Sequence, residues 1–207
     1  TMVFRYTSRP VAILVALMLM FPAKGLLYAA EQESAPPLPP ALESLFGGTF
    51  SLTDQNGDVR TDRAFLGKYL LVFFGYTYCP SICPTNLEHM AWALEELGAK
   101  ADQVQPVFIS IDPDRDTPEL LKDYVASFGS SFVALTGDER GIAELAKKYR
   151  VHRVKVLTEG SDPDDYLVDH SSLTYLMGPD GKFVTLFPHN TPGDEMARRI
   201  SVYLTKD

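Results

Sequence analysis

Cysteine is scarce in this sequence: the 207-residue chain contains only two, Cys79 and Cys83. One pair separated by three residues cannot form the set of long-range disulfides that stabilises small secreted domains. A bridge between the two would close too short a loop to restrict the unfolded chain much, so a purely structural disulfide is disfavoured. The two thiols therefore indicate chemistry: they either bind a soft metal together or cycle between dithiol and disulfide.

The sequence also lacks an excess of basic residues. Its 19 lysines and arginines are outnumbered by 27 aspartates and glutamates, which gives a net charge of −8. No stripe of lysine and arginine is present to neutralise phosphates, so nucleic acid is not an expected partner.

Long apolar runs are absent apart from one near the N-terminus. Residues 11–21 are uninterruptedly apolar, follow Arg5 and Arg9, and precede small residues. The run is short for a membrane-spanning helix, which needs about 20 residues, and its flanks are typical of a secretory signal. We therefore predict a signal peptide or N-terminal membrane anchor over residues 1–30, a proline-rich linker over 31–40 and an exported domain over 41–207.

Strand and helix patterns alternate along this domain. An Asn56-Gly57 pair predicts a β-hairpin within residues 50–60, and continuous apolar runs predict buried strands at 69–76 and 104–111. Helices are predicted at 84–97, after Thr117-Pro118, at 138–149 and after Thr191-Pro192, with further strands at 132–135, 151–157, 173–177 and 183–187.

This order of elements predicts an α/β protein with a thioredoxin-like fold. We expect a central mixed sheet that is mostly parallel with an antiparallel edge, flanked by helices and preceded by the N-terminal β-hairpin. In such a fold, reactive cysteines lie where the first buried strand meets the following helix, and Cys79 and Cys83 occupy this position.

The segment from Cys79 to Pro84 has the sequence Cys-Pro-Ser-Ile-Cys-Pro. Each proline biases the cysteine before it away from the α region, so we predict a loop that ends at a helix N-terminus. Unpaired N–H groups there favour thiolates, which both nucleophilic attack and metal binding require. Two soft sulfurs favour Cu(I). Zinc is the main competitor, but it normally takes four ligands.

A third ligand is sought among the four histidines. His170 lies in a polar segment before a predicted strand, and we predict a loop there, where a rigid sheet can position a ligand. Asp169 and Ser171 are candidates for orienting its ring. The remaining histidines are predicted to have packing, solvated or locally hydrogen-bonded roles: His89, His152 and His189.

A charged segment with three carboxylates, Asp112, Asp114 and Asp116, and one arginine, Arg115, follows the second buried strand. Two interpretations stay open. The segment either tunes the cysteine site or contacts a partner, together with Tyr76 and Tyr78, or it forms a capped, salt-bridged loop leading into the next helix.

Three blocks of the sequence together resemble the Sco/SenC family of thioredoxin-fold copper chaperones. They are residues 74–84 with the C-x-x-x-C-P motif, residues 110–118 with the sequence S-I-D-P-D-R-D-T-P, and residues 168–181 with the D-H-S motif. The resemblance covers about residues 45–190. It implies that one copper ion, Cu(I) or Cu(II), is bound by Cys79, Cys83 and His170 and delivered to the dinuclear copper (CuA) centre of cytochrome c oxidase.

The resemblance further implies partners and a location. The expected partners are the copper-bearing subunit of cytochrome c oxidase, other copper chaperones and a thiol reductant. The expected location is the periplasmic side of the bacterial inner membrane, with the domain either soluble or anchored through its N-terminal segment.

An alternative function uses the same two thiols. The protein would be a thiol–disulfide oxidoreductase that reduces the copper-ligand cysteines of a partner protein, with Cys79 and Cys83 as the redox-active pair. The spacing favours metal, because dedicated thioredoxin-like redox proteins usually carry C-x-x-C.

Overall fold

The computed structural model describes residues 42, 44–157, 162 and 165–204. The segments that we interpret as signal or anchor and as linker, residues 1–40, lie outside this part of the chain. Within the described part, no helix has the length and apolarity needed to cross a membrane.

Nine strands are present among the described residues: β1 Ser51–Asp54, β2 Val59–Thr61, β3 Tyr69–Gly75, β4 Val104–Ser110, β5 Val133–Thr136, β6 Arg153–Leu157, β7 Tyr166–His170, β8 Thr174–Met177 and β9 Phe183–Phe187. Seven of them form one mixed sheet in the order β2-β1-β5-β4-β3-β8-β9. The strands β6 and β7 form a separate two-stranded ribbon.

The expected central mixed sheet is confirmed, but the expectation that it is mostly parallel with one antiparallel edge is wrong. Only the neighbouring pairs β3–β4 and β4–β5 are parallel. The other four neighbouring pairs of this sheet are antiparallel: β1–β2, β1–β5, β3–β8 and β8–β9. Two of these, β1–β2 and β8–β9, are tight hairpins, which can only join antiparallel strands.

Within residues 44–157 and 165–204, four α-helices flank the sheet: α1 Ile82–Leu97, α2 Pro118–Ala126, α3 Glu139–Lys148 and α4 Gly193–Ser201. The predicted starts of α2 and α3 are confirmed, because Thr117 Oγ1 accepts from the N–H of Leu120 at 3.3 Å and Asp138 Oδ1 accepts from the N–H of Gly141 at 2.6 Å. Short 3₁₀ helices lie at Asp62–Phe65 and Gly98–Gln103.

The predicted loop around the cysteines is shorter than expected, because α1 begins at Ile82 and includes Cys83 and Pro84. The first backbone hydrogen bond across this turn is donated by the N–H of Thr85 to Ser81. Residues before Thr85 need no N–H for the helix, so the proline costs nothing there.

The central strand β3 is covered on both faces, as predicted. Successive side chains of a strand point to opposite faces, so Phe73 and Phe74 bury themselves in different layers. Phe74 packs against Tyr149 with ring centroids 5.0 Å apart, and Phe73 lies 6.4 Å from Phe108. The carboxyl end of β3 is thereby a fixed platform from which the cysteine segment starts.

The predicted N-terminal hairpin is confirmed, and the buried carboxylate of Asp54 organises its turn. Its oxygens accept from the backbone N–H groups of Asn56 and Asp58 at 2.8 and 3.0 Å, and from Arg60 Nε at 2.8 Å. Burial opposes ionisation, but these hydrogen bonds outweigh it and lower the pKa of Asp54 below its usual value.

Replacing Asp54 by Ala should lower the free energy of unfolding by about 1–3 kcal/mol at neutral pH, since two backbone donors lose their acceptor. Because the folded-state pKa is depressed, this contribution is complete above the ordinary pKa of 3.8 and is lost as the pH falls through the folded value. Urea unfolding at several pH values measures it. Asp58→Ala, an exposed neighbour in the same turn, is the control, and equal destabilisation by both variants would contradict this assignment.

Candidate metal centre

The segment that carries Cys79 is tied to the neighbouring strand by one buried carboxylate, that of Asp116. Thr77 Oγ1 and Ser110 Oγ each donate a hydrogen bond to it at 2.6 Å. The backbone N–H of Thr77 donates to it as well, at 3.2 Å. Burial raises the pKa of Asp116 in spite of these bonds. The chain leaving β3 is therefore held against the end of β4 before it reaches the first cysteine.

Both cysteine side chains are buried and their thiols are free. The backbone N–H of Cys83, in the first turn of α1, donates to Cys79 Sγ at 3.3 Å. Hydrogen bonds from the Cys83 thiol and from backbone N–H groups outweigh burial and lower the pKa of Cys79 to about 4. The expected stabilisation of a thiolate at a helix N-terminus thus applies to Cys79. Burial and the neighbouring Cys79 thiolate raise the pKa of Cys83.

His170 reaches the cysteines from the end of strand β7, so the prediction that it lies in a loop is wrong. Its Nδ1 lies 3.0 Å from the backbone oxygen of Ser171. A carbonyl oxygen can only accept, so Nδ1 carries the proton and the lone pair of Nε2 is left for a ligand. Nε2 lies 3.5 Å from Cys83 Sγ. The rings of Phe73 and Tyr76 meet the imidazole edge-on, with centroids 6.2 and 5.8 Å away.

The three candidate ligands that the sequence indicates are brought together. Cys79 Sγ, Cys83 Sγ and one ring nitrogen of His170 all lie within 4.8 Å of one another. Within the described part of the chain, they form the one group of three or more such side chains with this spacing.

The other histidines have the separate roles predicted for them. His152 is exposed, with Nε2 3.9 Å from a carboxylate oxygen of Asp169, and His189 is exposed beside Asn86. His89 packs edge-on against Trp92 at 6.4 Å. Asp169 therefore faces His152, and the ring of His170 is oriented by the Ser171 carbonyl.

The match to known proteins covers most of the chain. The family model described as SCO1/SenC matches residues 39–205. This chain belongs to the SCO1/SenC family. A human relative, the mitochondrial protein SCO1 homolog, is 40% identical over 162 residues, which make up 77% of this chain and 53% of the human protein. The chain thus spans about half the length of this relative.

Solved structures of SCO1/SenC proteins have the same fold. The structure of Bradyrhizobium japonicum ScoI with copper bound has a TM-score of 0.70 and 45% sequence identity, over 77% of this chain and 99% of ScoI. BsSco, a member of the Sco family of cytochrome c oxidase assembly proteins with an identified disulfide switch, has a TM-score of 0.59 and 27% identity over 76% of this chain and 93% of its own. These matches confirm the thioredoxin-like fold predicted from the sequence.

The charged segment after β4 is part of the scaffold in this SCO1/SenC protein. Asp112 and Asp116 are fully buried and Tyr76 is 2% exposed, so these three side chains do not form a partner surface. Of the two interpretations, the salt-bridged loop is supported by the ion pairs of Arg115 with Asp112 and of Lys155 with the exposed Asp114, both at 2.6 Å. The two buried carboxylates are tolerated because each accepts hydrogen bonds within the protein. Tyr78, by contrast, is exposed and remains available.

A pocket of about 340 Å³ opens beside the three candidate ligands. Cys79 and His170 form part of its wall, and apolar side chains of Ile82, Val156 and Leu167 form much of the rest. The centre is therefore accessible from one side without any rearrangement of the sheet.

Sequence reasoning missed Gly75, the last residue of β3. A Cβ atom there would lie 2.8 Å from Cys83 Sγ and 2.9 Å from the rings of Phe73 and Phe108. Such distances are shorter than real Cβ contacts, so only glycine lets the second sulfur approach the strand. The signal in the sequence was a glycine at the end of a buried apolar run, which also marks an ordinary strand end.

Replacing Gly75 by Ala should displace Cys83 and lower the free energy of unfolding by about 1–3 kcal/mol through overpacking. Urea unfolding, together with the rate at which iodoacetamide modifies Cys83, measures both effects. Gly178→Ala is the control, because its added Cβ would mainly meet the carboxylate of the exposed Asp180. A Gly75→Ala protein as stable and as unreactive at Cys83 as Gly178→Ala would refute this role.

In the reduced, metal-free protein, iodoacetamide should modify Cys79 and spare Cys83. Cys79 is a thiolate at neutral pH, whereas the raised pKa of Cys83 keeps its buried thiol protonated. The rate constant at Cys79 should fall only as the pH drops through about 4. Mass spectrometry of each cysteine follows the two reactions, with Cys79→Ser as the control. Comparable rates at both cysteines at neutral pH would contradict the assignment.

Proposed function

We propose that this SCO1/SenC protein is a copper chaperone. It binds one copper ion through Cys79, Cys83 and His170 and delivers it to the dinuclear CuA centre of cytochrome c oxidase. The observation that carries the proposal is the convergence of the three donor atoms within 4.8 Å. The copper-bound state of ScoI and the placement of BsSco among cytochrome c oxidase assembly proteins support the metal and the recipient.

The donor set suits copper. Two thiolates are soft ligands that bind Cu(I), and an imidazole nitrogen is a ligand common to both oxidation states of copper. With Cu(I), two thiolates and a neutral imidazole leave a net charge of about −1, which the N-terminus of α1 partly offsets. Because the pKa of the Cys83 thiol is raised in the metal-free protein, copper binding must release its proton.

The attachment of the ligands supports delivery over storage. Both sulfurs lie next to the central sheet, whereas His170 is carried by the β6–β7 ribbon. Withdrawing the imidazole breaks no hydrogen bond of the large sheet. A two-sulfur site, with Cys79 in the wall of the open pocket, would then accept a ligand from the recipient.

We also propose the location and the domain arrangement. The copper-binding domain is residues 41–207, exported to the periplasmic side of a bacterial inner membrane. Residues 1–30 act as its signal peptide or anchor and residues 31–40 as a linker. The charge and apolar pattern of residues 5–21 supports this arrangement.

A second candidate function is the thiol–disulfide oxidoreductase. Its support is the contrast between an ionised Cys79 and a protonated, buried Cys83, together with the disulfide switch of BsSco. The Cys79 thiolate would attack a partner's disulfide, forming a mixed disulfide and releasing the partner's first thiolate, which can take the Cys83 proton. Cys83 would then attack Cys79 Sγ, release the partner's second thiolate and leave the pair as a disulfide. An external thiol reductant would return both cysteines to the dithiol. This chemistry needs no imidazole ligand.

The decisive measurement is a titration of the reduced full chain with Cu(I) against a chromophoric chelator, without oxygen. We expect one copper per chain. Cys79→Ser and Cys83→Ser should abolish tight binding, and His170→Ala should weaken it by about tenfold or more, the effect of about 1.4 kcal/mol.

His152→Ala is the matched control, since His152 directly precedes β6 of the same ribbon but is exposed, with Nε2 3.9 Å from Asp169. Its affinity should equal that of the parent. Weak copper binding that is the same in the parent, His170→Ala and His152→Ala would favour the oxidoreductase.

A further inference from the structure

We infer that Tyr166 is a positioning residue that fixes His170 relative to the two sulfurs, through contacts with Asp112 and Arg115. The inference rests on the proposed copper site. Its starting point is the ribbon that carries His170. Among the strands that the structure describes, β6 and β7 pair only with each other. Side chains therefore have to fix the position of this ribbon on the rest of the domain.

A buried side-chain attachment lies at the first residue of β7. Tyr166 Oη donates a hydrogen bond to Asp112 Oδ1 at 2.6 Å, and Arg115 Nε donates to Asp112 Oδ2 at 2.6 Å. Arg115 Nη1 also donates to the backbone oxygen of Tyr166 at 3.0 Å. The guanidinium lies 3.6 Å from the centroid of the Tyr166 ring. The three residues thus form a closed set of contacts, which we call the tyrosine lock.

The tyrosine lock is shielded from water. Asp112 is 0% exposed and Tyr166 7%. Hydrogen bonds to a charged group are stronger than neutral ones, and salt screens a buried pair much less than an exposed one. Lys155 adds an outer contact, with Nζ 4.6 Å from the centroid of the Tyr166 ring. Because Asp112 follows β4 directly, the lock joins the start of β7 to the sheet end where the cysteine segment begins.

Because Tyr166 and His170 lie at the two ends of β7, fixing Tyr166 restricts where the imidazole of His170 can lie. Tyr166, Val168 and His170 alternate along β7 on its more buried side, so they share the face turned toward the domain. The Tyr76 ring also contacts the imidazole edge-on, with the ring centroids 5.8 Å apart. Releasing Tyr166 frees the end of the strand farthest from His170 and lets the strand tilt. Nε2 then spends less time within reach of the sulfurs.

The test substitutes Tyr166 by Phe in the full chain, which removes one hydroxyl and keeps the ring under Arg115. The Cu(I) dissociation constant should rise by about tenfold, the scale of one lost hydrogen bond to a buried charge. Tyr69→Phe is the matched control, because it removes a hydroxyl that donates to the Tyr203 backbone oxygen at 2.8 Å, away from the ribbon. Its copper affinity should not change.

A double-mutant cycle with His170→Ala separates positioning from general stability. If Tyr166 acts through the imidazole, Tyr166→Phe should cause no further loss of affinity in the His170→Ala background. An equal loss in both backgrounds, or parental affinity in Tyr166→Phe, would overturn the inference.

Amide hydrogen exchange of the metal-free protein gives a readout that does not depend on copper. Residues 166–170 should exchange faster in Tyr166→Phe than in the parent or Tyr69→Phe. Unchanged exchange would overturn the lock. If the parent binds no copper but exchange rises as expected, the lock stands as an attachment of β7 and the proposed copper site fails.

Discussion

The geometry of the centre depends on the hydrogen bonds that the buried carboxylate of Asp116 accepts from Thr77 and Ser110. Parallel strands β3 and β4 are in register with Gly75 opposite Ser110, so their carboxyl ends meet at one edge of the sheet. Asp116 accepts hydrogen bonds from Ser110 at one end and from Thr77 at the other. A buried carboxylate is unfavourable unless donors surround it, and here those donors are the two segments that must be joined. The start of the cysteine segment is thus held in place because the buried carboxylate of Asp116 requires hydrogen-bond donors.

That carboxylate also contributes to the electrostatics of the sulfurs. Asp116 and the thiolate of Cys79 both disfavour a second negative charge on Cys83. The metal-free centre therefore holds one thiolate and one thiol, although both sulfurs lie at the N-terminus of α1. A bound cation would compensate the charge that the neighbouring anions oppose. The raised pKa that makes Cys83 a poor nucleophile also means that a metal would have to displace its proton.

Local patterns in the sequence predicted much of the fold but few of the side-chain contacts within the site. Some features depend only on residues that are close in the sequence, so the sequence alone predicts them. They are the apolar runs at β3 and β4, the Asn56-Gly57 turn and the helix cap at Thr117. The resemblance of three motifs supplied the set of ligands, Cys79, Cys83 and His170.

Contacts between distant residues could not be predicted in this way. Tyr166 and Asp112 are 54 residues apart, and the requirement for glycine at position 75 comes from a sulfur in the next element. The sequence did not reveal that His170 lies on a strand, because β7 is short and mixes polar with apolar residues. The valines and leucines of the β6–β7 ribbon at positions 154, 156, 157 and 167 are exposed, so the usual sign of a buried strand is absent.

The two kinds of ligand attachment have different energetic consequences. Cys83 lies in a helix packed on a fully buried strand, so moving its sulfur would disturb core contacts that stabilise the whole domain. His170 is held by a ribbon whose contacts to the domain are a small number of side-chain hydrogen bonds and ring contacts, each worth about 1 kcal/mol. Local opening on this scale is far less costly than unfolding. In the proposed copper site, two sulfurs would therefore have fixed positions and one nitrogen could leave, so that the imidazole would be exchanged first and the thiolates last.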